Sequence, residues 1–312
     1  MDALSCPVCG HAVYFDNLAC VACGAALVFD VGADAFVADA VPCANRATVE
    51  GCNWAAAGDD GWCRSCRLDI DHGPTEARAR FQEAKRRALR QLVGFGVDLD
   101  RPPVLRFDLR AGSPEAPVTI GHDDGLITLD TAEADPSHLE AVRTSLGEPY
   151  RSPLGHVRHE LGHWYWAAHV GVTFDLVEFR AAFGDETVPY AEALERHYAT
   201  PDDGSWAAEH VSHYAAAHPW EDHAESFAHL LHITGTLGTA RTHGLVHWAG
   251  PIAALDLRFL YERWIELSVA LNELNRSMGL PDAYPFAPSP RTVEKLELIW
   301  RHLVGAGRAA TA

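Results

Sequence analysis

The sequence predicts an α+β chain in two parts: cysteine-stapled modules at the N-terminus, then a larger, mostly helical domain with a small β-sheet. Three observations carry that reading. All eight cysteines of the 312-residue chain fall before residue 67. Beyond them apolar residues recur mainly at helical spacing, interrupted by one short block of strand-like segments. The second part also contains His159-Glu160-Leu161-Gly162-His163, whose two histidines share one face of a helix. The composition changes at about residue 71, which separates a cysteine region (1–71) from a helical domain (72–312).

Composition bounds the function. Hydrophobic residues at 48% and charged residues at 22% describe an ordinary globular protein, with no apolar run long enough to span a bilayer. Met1-Asp2-Ala3-Leu4-Ser5-Cys6 lacks the basic and apolar regions of a secretory signal, so a cytoplasmic location is expected. The net charge of −18 repels phosphate backbones and anionic lipids, which argues against nucleic-acid and membrane partners.

In the cysteine region, Cys6-x-x-Cys9 and Cys20-x-x-Cys23 have the spacing of the two knuckles of a zinc ribbon. Cys43, Cys52, Cys63 and Cys66 form a second set of four. Four thiolates complete the tetrahedral shell of a structural zinc, so one ion is expected in each set. Gly10 and Gly24 follow the CxxC pairs, where the knuckle turn needs a residue that tolerates positive φ. Residues 1–71 carry only Arg46, Arg64 and Arg67 against ten acidic residues. A ribbon surface of that sign suits a protein partner better than a nucleic acid.

After the junction Asp71-His72-Gly73-Pro74, Thr75–Val93 reads as an amphipathic helix with Phe81, Ala84, Ala88, Leu89 and Leu92 on its apolar face. Its Lys and Arg residues are expected to form a solvated face offsetting acidic neighbours. Val104–Leu109, Val118–Gly121 and Gly125–Asp130 read as strands, the last two joined through the Asp-Gly step of a hairpin, with His122 and Asp123 as turn residues. An edge of such a sheet can pair with an extended peptide. Asp135-Pro136 caps a helix to about Leu146, and Gly147–Arg151 leads to Ser152-Pro153, a good N-cap and first residue for the next helix.

That helix holds the chemistry. In H-E-x-x-H the histidines can reach one Zn²⁺, and the Glu can serve a water molecule as general base. A catalytic zinc usually takes a third protein ligand. His169 lies where a longer histidine motif would place it, but that motif needs Gly at position 166, which is Trp. The helix then continues and turns His169 about 240° away from His163. The other answer is His218-Pro219-Trp220-Glu221-Asp222-His223-Ala224-Glu225, opening a new helix with Glu221 and Glu225 on one face and small Ala224 and Ala228 beside them. This is the gluzincin arrangement, in which one carboxylate ligates zinc and an acid one turn later orients a ligating histidine, here most simply Glu225 on His159. Further on, Pro251–Met278 reads as a long amphipathic helix, Pro281–Pro288 as a loop, and Ser289-Pro290 as the start of a final helix to about Val304.

These segments resemble a known family. Glu221-x-x-Ala224-Glu225-x-Phe227 is similar to the third-ligand segment of lethal-factor-type gluzincins. More closely, the chain resembles a bacterial family that joins N-terminal zinc ribbons to a zinc-binding metallopeptidase domain. Pro42-Cys43-Ala44-Asn45, Cys63-Arg64-Ser65-Cys66-Arg67-Leu68, Gly121-His122-Asp123, Leu146-Gly147-Glu148-Pro149-Tyr150-Arg151 and His218–Asp222 carry that match. His223 and Phe227 depart from it at positions that bear on packing. The resemblance implies a gluzincin-like fold with one catalytic zinc on His159, His163 and Glu221, besides the two structural zincs. It also implies a peptide or protein substrate and an oxyanion-stabilising tyrosine seven residues before Glu221, which is Tyr214; His213 or His218 would be the substitutes. The competing expectation is a catalytically silent scaffold whose ribbons bind a protein.

Overall fold

Each knuckle closes on a backbone turn: Gly10 N–H donates to Cys6 O at 2.9 Å, and Gly24 N–H to Cys20 O at 2.8 Å. Both glycines sit at φ near +72°, where a Cβ is costly. The structure is a computed structural model that describes residues 4–113, 115–135, 139, 152–171 and 176–310. The helix expected over 135–146 and the loop Gly147–Arg151 fall, apart from Asp135 and Leu139, outside these residues. Strands β1 (Val28–Asp30) and β2 (Ala35–Val37) form an antiparallel hairpin. Leu27, Phe29, Phe36 and Trp54 are buried around it, with Phe29 edge-on to Phe15 and Phe36.

By compactness the chain divides into one unit of residues 1–100 and 104–157 and a second of residues 101–103 and 158–312. The boundary at 71/72 thus marks a change of composition and not the edge of a compact unit. The reason is helix α1 (Glu76–Gly94), which starts on a Thr75 cap and buries Phe81, Ala88, Leu89 and Leu92. Of its basic residues Arg78, Lys85, Arg86 and Arg90 are buried, which corrects the expectation of a solvated face for these four, while Arg80 and Arg87 are exposed. Arg78, Lys85 and Arg90 pair with Glu50, Asp69 and Asp34 of the cysteine region at 3.0, 2.5 and 2.5 Å, and Arg87 pairs with Asp16. The Arg90 guanidinium also stacks over Phe15 and Phe29. The charges do offset acidic neighbours, and the Arg78–Glu50 and Lys85–Asp69 pairs are buried, so that separating either would leave an uncompensated charge.

The first unit also holds a three-stranded sheet in the order β3 (Arg106–Arg110), β5 (Leu126–Asp130), β4 (Gly121–Asp123). A hairpin is there, with Asp124 and Gly125 both at positive φ, but His122 and Asp123, expected as turn residues, lie in β4 opposite Ile127 and Leu126. The strand expected over Val118–Gly121 keeps only its last residue, and His122 Nε2 accepts Gly125 N–H at 3.1 Å. β3 pairs in parallel with β5.

Helix α2 (Pro153–Tyr165) carries the H-E-x-x-H motif, and the division between the units falls inside it after Val157. A π-helical turn, Trp166–Val170, prolongs it. The second unit continues with α3 (Leu176–Phe183) and α4 (Tyr190–Ala199), two helices not assigned from the sequence. Helix α5 (Pro219–Thr242) is its centre, with Leu230, Leu231, Ile233 and Leu237 fully buried. It packs against α3, α6 (Leu257–Ser277) and α7 (Pro290–Ala310). Helix α6 starts later than its amphipathic run, because Asp256 caps it by accepting Arg258 N–H at 2.7 Å. Helix α7 runs past Val304. Among the described residues, no helix is long and apolar enough to cross a membrane.

Candidate metal centre

The centre lies in the second unit, where α2 meets α5. Ser152 opens α2 by accepting Gly155 N–H on its hydroxyl at 3.0 Å. One turn of helix separates His159 from His163, and their Nε2 atoms stand 3.1 Å apart. Helix α5 begins on His218, whose Nδ1 accepts Trp220 N–H while Nε2 donates to Val188 O. That start places Glu221 Oε2 at 3.1 Å from His159 Nε2 and 3.4 Å from His163 Nε2. Glu221 is almost wholly buried, and apart from these two ring nitrogens this oxygen has no hydrogen-bond donor among the described residues.

The close approach of the helices depends on Gly162, one of the unspecified positions of the motif. A Cβ there would stand 2.8 Å from Ala224 Cα and 3.1 Å from Ala224 O. Glycine costs a helix interior about 1 kcal/mol relative to alanine, and here it allows backbone-to-backbone contact. Ala224, the expected small residue, is the other side of that contact.

The arrangement fits zinc. Bonds of about 2.0–2.1 Å in a tetrahedral shell put neighbouring donor atoms about 3.3 Å apart. The three observed separations bracket that value, and His159, His163 and Glu221 group as a set able to hold a metal ion. The cysteines fit as well. All eight are free thiols in two clusters of four, with Sγ pairs 3.7 Å apart in each. A tetrahedral shell with Zn–S bonds of about 2.3 Å has edges of about 3.8 Å, whereas a disulfide would need about 2.05 Å. In the second cluster Asn45 Nδ2 and two backbone N–H groups donate to sulfur, and Glu50 and Arg78 extend that network.

The surroundings orient the histidines. His159 Nδ1 lies 2.7 Å from Glu225 Oε1, and Ser212 Oγ donates to Glu225 Oε2 at 2.7 Å. A carboxylate on Nδ1 places the ring proton there and turns the Nε2 lone pair toward Glu221 and His163. Burial works against a charged His159, but hydrogen bonds to Glu221 and Glu225 outweigh it and raise its pKa well above the usual range. Burial likewise opposes ionisation of Glu221 and Glu225. The hydrogen bond to His159 wins in both, holding Glu221 far below the carboxylate range and Glu225 at about 2. Without a metal, a proton balances the converging charges.

Glu160 is buried, and its Oε2 has no hydrogen-bond partner among the described residues. The Tyr214 ring lies beside His159, 6.0 Å between centroids. Burial, then the charge of Glu221, push its phenol far above the usual range, so it stays a proton donor. Its two substitutes are placed otherwise: His218 spends Nδ1 on capping α5 and Nε2 on Val188 O, and His213 lies tilted against His197 at 4.3 Å between centroids. His169 is stacked on Tyr165, away from the cluster. Three residues of the site escape the sequence reading: Ser212, Gly162 and Tyr190, whose hydroxyl donates to Glu221 Oε1 at 2.7 Å. Tyr190 opens α4, in a stretch with helix-favouring composition but no motif. A separate cavity of about 570 Å³ is lined by Arg196, His197, Asp202, Trp206 and His213, and by none of His159, Glu160, His163, Tyr190, Tyr214 or Glu221.

Residues 75–302 match a family model described as "Putative zinc-binding metallo-peptidase", and residues 3–40 match a zinc-ribbon domain. The chain belongs to this metallopeptidase family. Its first cysteine cluster lies in the matched ribbon, while Cys43, Cys52, Cys63 and Cys66 fall between the two matched segments. An uncharacterized protein of Mycobacterium bovis and two from Mycobacterium tuberculosis strains are each 39% identical to it over 322 residues, covering 94% of this chain and 93% of the relative. No solved structure matches. Membership brings zinc binding and a zinc ribbon to the chain.

Proposed function

We propose that the protein is a gluzincin-type zinc peptidase that hydrolyses peptide bonds. The observation that carries this is the convergence of His159 Nε2, His163 Nε2 and Glu221 Oε2 beside a buried, unpartnered Glu160 oxygen. Zinc bound there supplies the Lewis acidity that lets water act as a nucleophile near neutral pH. Glu160 takes the proton of that water and passes it to the leaving amine. The Tyr214 hydroxyl donates to the carbonyl oxygen as it gains negative charge. Glu225, held by Ser212, keeps His159 in the tautomer that presents Nε2.

We assign three zincs to the chain, one catalytic and one structural in each four-cysteine cluster. Eight free thiols suit the reducing cytoplasm. A second reading, a catalytically silent scaffold that binds a protein through its ribbons, draws support from Val8, Tyr14 and Val21, apolar side chains exposed on the first ribbon. Cleavage profiling of a whole proteome with the wild-type chain and Glu160→Gln separates the two. Peptide ends produced by the wild type alone are expected; identical profiles favour the scaffold.

A further inference from the structure

Tyr190 has a place in the metal centre that no motif announces. A carboxylate can bind a metal through one oxygen or through both. A hydrolytic zinc works with one position open, and a second oxygen from Glu221 would crowd it. The two oxygens of Glu221 are treated differently here. Oε2 faces both histidine nitrogens and receives no other donor, while Oε1 accepts the Tyr190 hydroxyl at 2.7 Å.

The phenol is held from several sides. Its ring stands edge-on to His218 at 5.2 Å and against Trp220 at 6.2 Å, the cap and first turn of the helix that carries Glu221. Two residues before Tyr190, Val188 O accepts His218 Nε2 at 3.0 Å. The starts of α4 and α5 are therefore tied twice, once by the His218 ring to the Val188 carbonyl and once through the Glu221 carboxylate.

We infer that Tyr190 is a positioning residue that holds Glu221 as a one-oxygen ligand and so keeps the fourth metal position open. The inference rests on the assignment of Glu221 as a zinc ligand and does not depend on peptidase activity. Tyr190→Phe removes the hydroxyl and keeps the ring that packs on His218 and Trp220.

The test is zinc retention by the full-length, zinc-loaded chain across a graded chelator series, comparing wild type, Tyr190→Phe and Tyr214→Phe. Tyr190→Phe is expected to lose one zinc per chain at an affinity about 10–100-fold lower, the range for removing a partner of a metal ligand. The two cysteine-bound zincs should be retained as in wild type, which reports an intact fold. Tyr214→Phe should keep the wild-type affinity. With Co²⁺ in the histidine site alone, Tyr190→Phe should weaken the visible absorption, as a fourfold site becomes fivefold when both carboxylate oxygens bind.

Unchanged zinc retention and an unchanged cobalt spectrum in Tyr190→Phe would overturn the inference. A wild type that holds no metal outside its cysteines overturns it together with the zinc site. A wild type that holds the third zinc yet cleaves nothing sinks the peptidase reading and leaves the role of Tyr190 to be decided by the affinity comparison.

Discussion

The cysteine clusters and the His159–His163–Glu221 centre are both metal-shaped, and they differ in what they leave over. Each cluster supplies four sulfurs at the corners of a closed tetrahedron, with no donor position free. The centre on α2 and α5 supplies three donors, a buried base with an unpaired oxygen, and a tyrosine beside it. Closure suits a staple, because metal binding there adds directly to folding free energy. An open position with a base at hand suits chemistry. The two cysteine clusters also differ from each other. Cys9 and Cys23 of the first are exposed, whereas all four thiols of the second are buried behind Asn45, Glu50 and Arg78.

The sharpest way to break the contrast is Glu160→Gln. Loss of a general base should lower peptide hydrolysis by about 10²–10⁴-fold, while metal analysis still finds the wild-type zinc content. Retained turnover would remove Glu160 from the mechanism. Next in size, Glu221→Ala should weaken the histidine site by more than about 100-fold, beyond the usual cost of losing an outer partner. The cysteine zincs should stay, and His169→Ala should release nothing. If His169→Ala empties the site and Glu221→Ala does not, the third ligand is misassigned.

Proton release separates the two kinds of site again. His159 carries a raised pKa in the metal-free chain, so zinc must displace about one proton near pH 7, and its affinity should fall as the pH falls. A cluster of four thiols must give up several. Calorimetry in buffers of different ionisation enthalpy reads both numbers, and equal release at all sites would contradict the assignment. The stability of the metal-free chain follows the same groups. The raised His159 pKa gives a contribution present below its ordinary value of 6.5 and lost as the pH rises through the raised one. The depressed Glu225 pKa gives one that is complete above 4.5 and lost as the pH falls toward about 2.

Gly162→Ala is the smaller structural test. Its methyl meets the α5 backbone, so overpacking should cost about 1–3 kcal/mol in a denaturant titration and loosen zinc only at the histidine site. Wild-type stability would mean that the helices can part without consequence. The smallest difference is expected between the two cysteine clusters. A chelator should draw zinc first from the cluster with exposed Cys9 and Cys23, as followed in Cys→Ser variants of either set.

The local patterns were legible in the sequence alone. CxxC spacing, His159 and His163 at i, i+4, Glu221 and Glu225 at i, i+4, and the caps at Ser152 and Thr75 are set within a few residues by backbone geometry, so periodicity and composition reveal them. Tertiary structure decided what those patterns meet. Tyr190 reaches Glu221 across 31 residues, Ser212 reaches Glu225 across 13, and Gly162 matters only because Ala224 lies against it. The basic helix α1 looked solvated because its partners Glu50, Asp69 and Asp34 come from a region of different composition. The donor atoms and their spacing along each helix belong to the sequence. The third ligand's reach, the proton on His159 and the burial of Glu160 arise only when α2 and α5 pack, because desolvation and hydrogen bonding depend on neighbours that the chain brings together only in three dimensions.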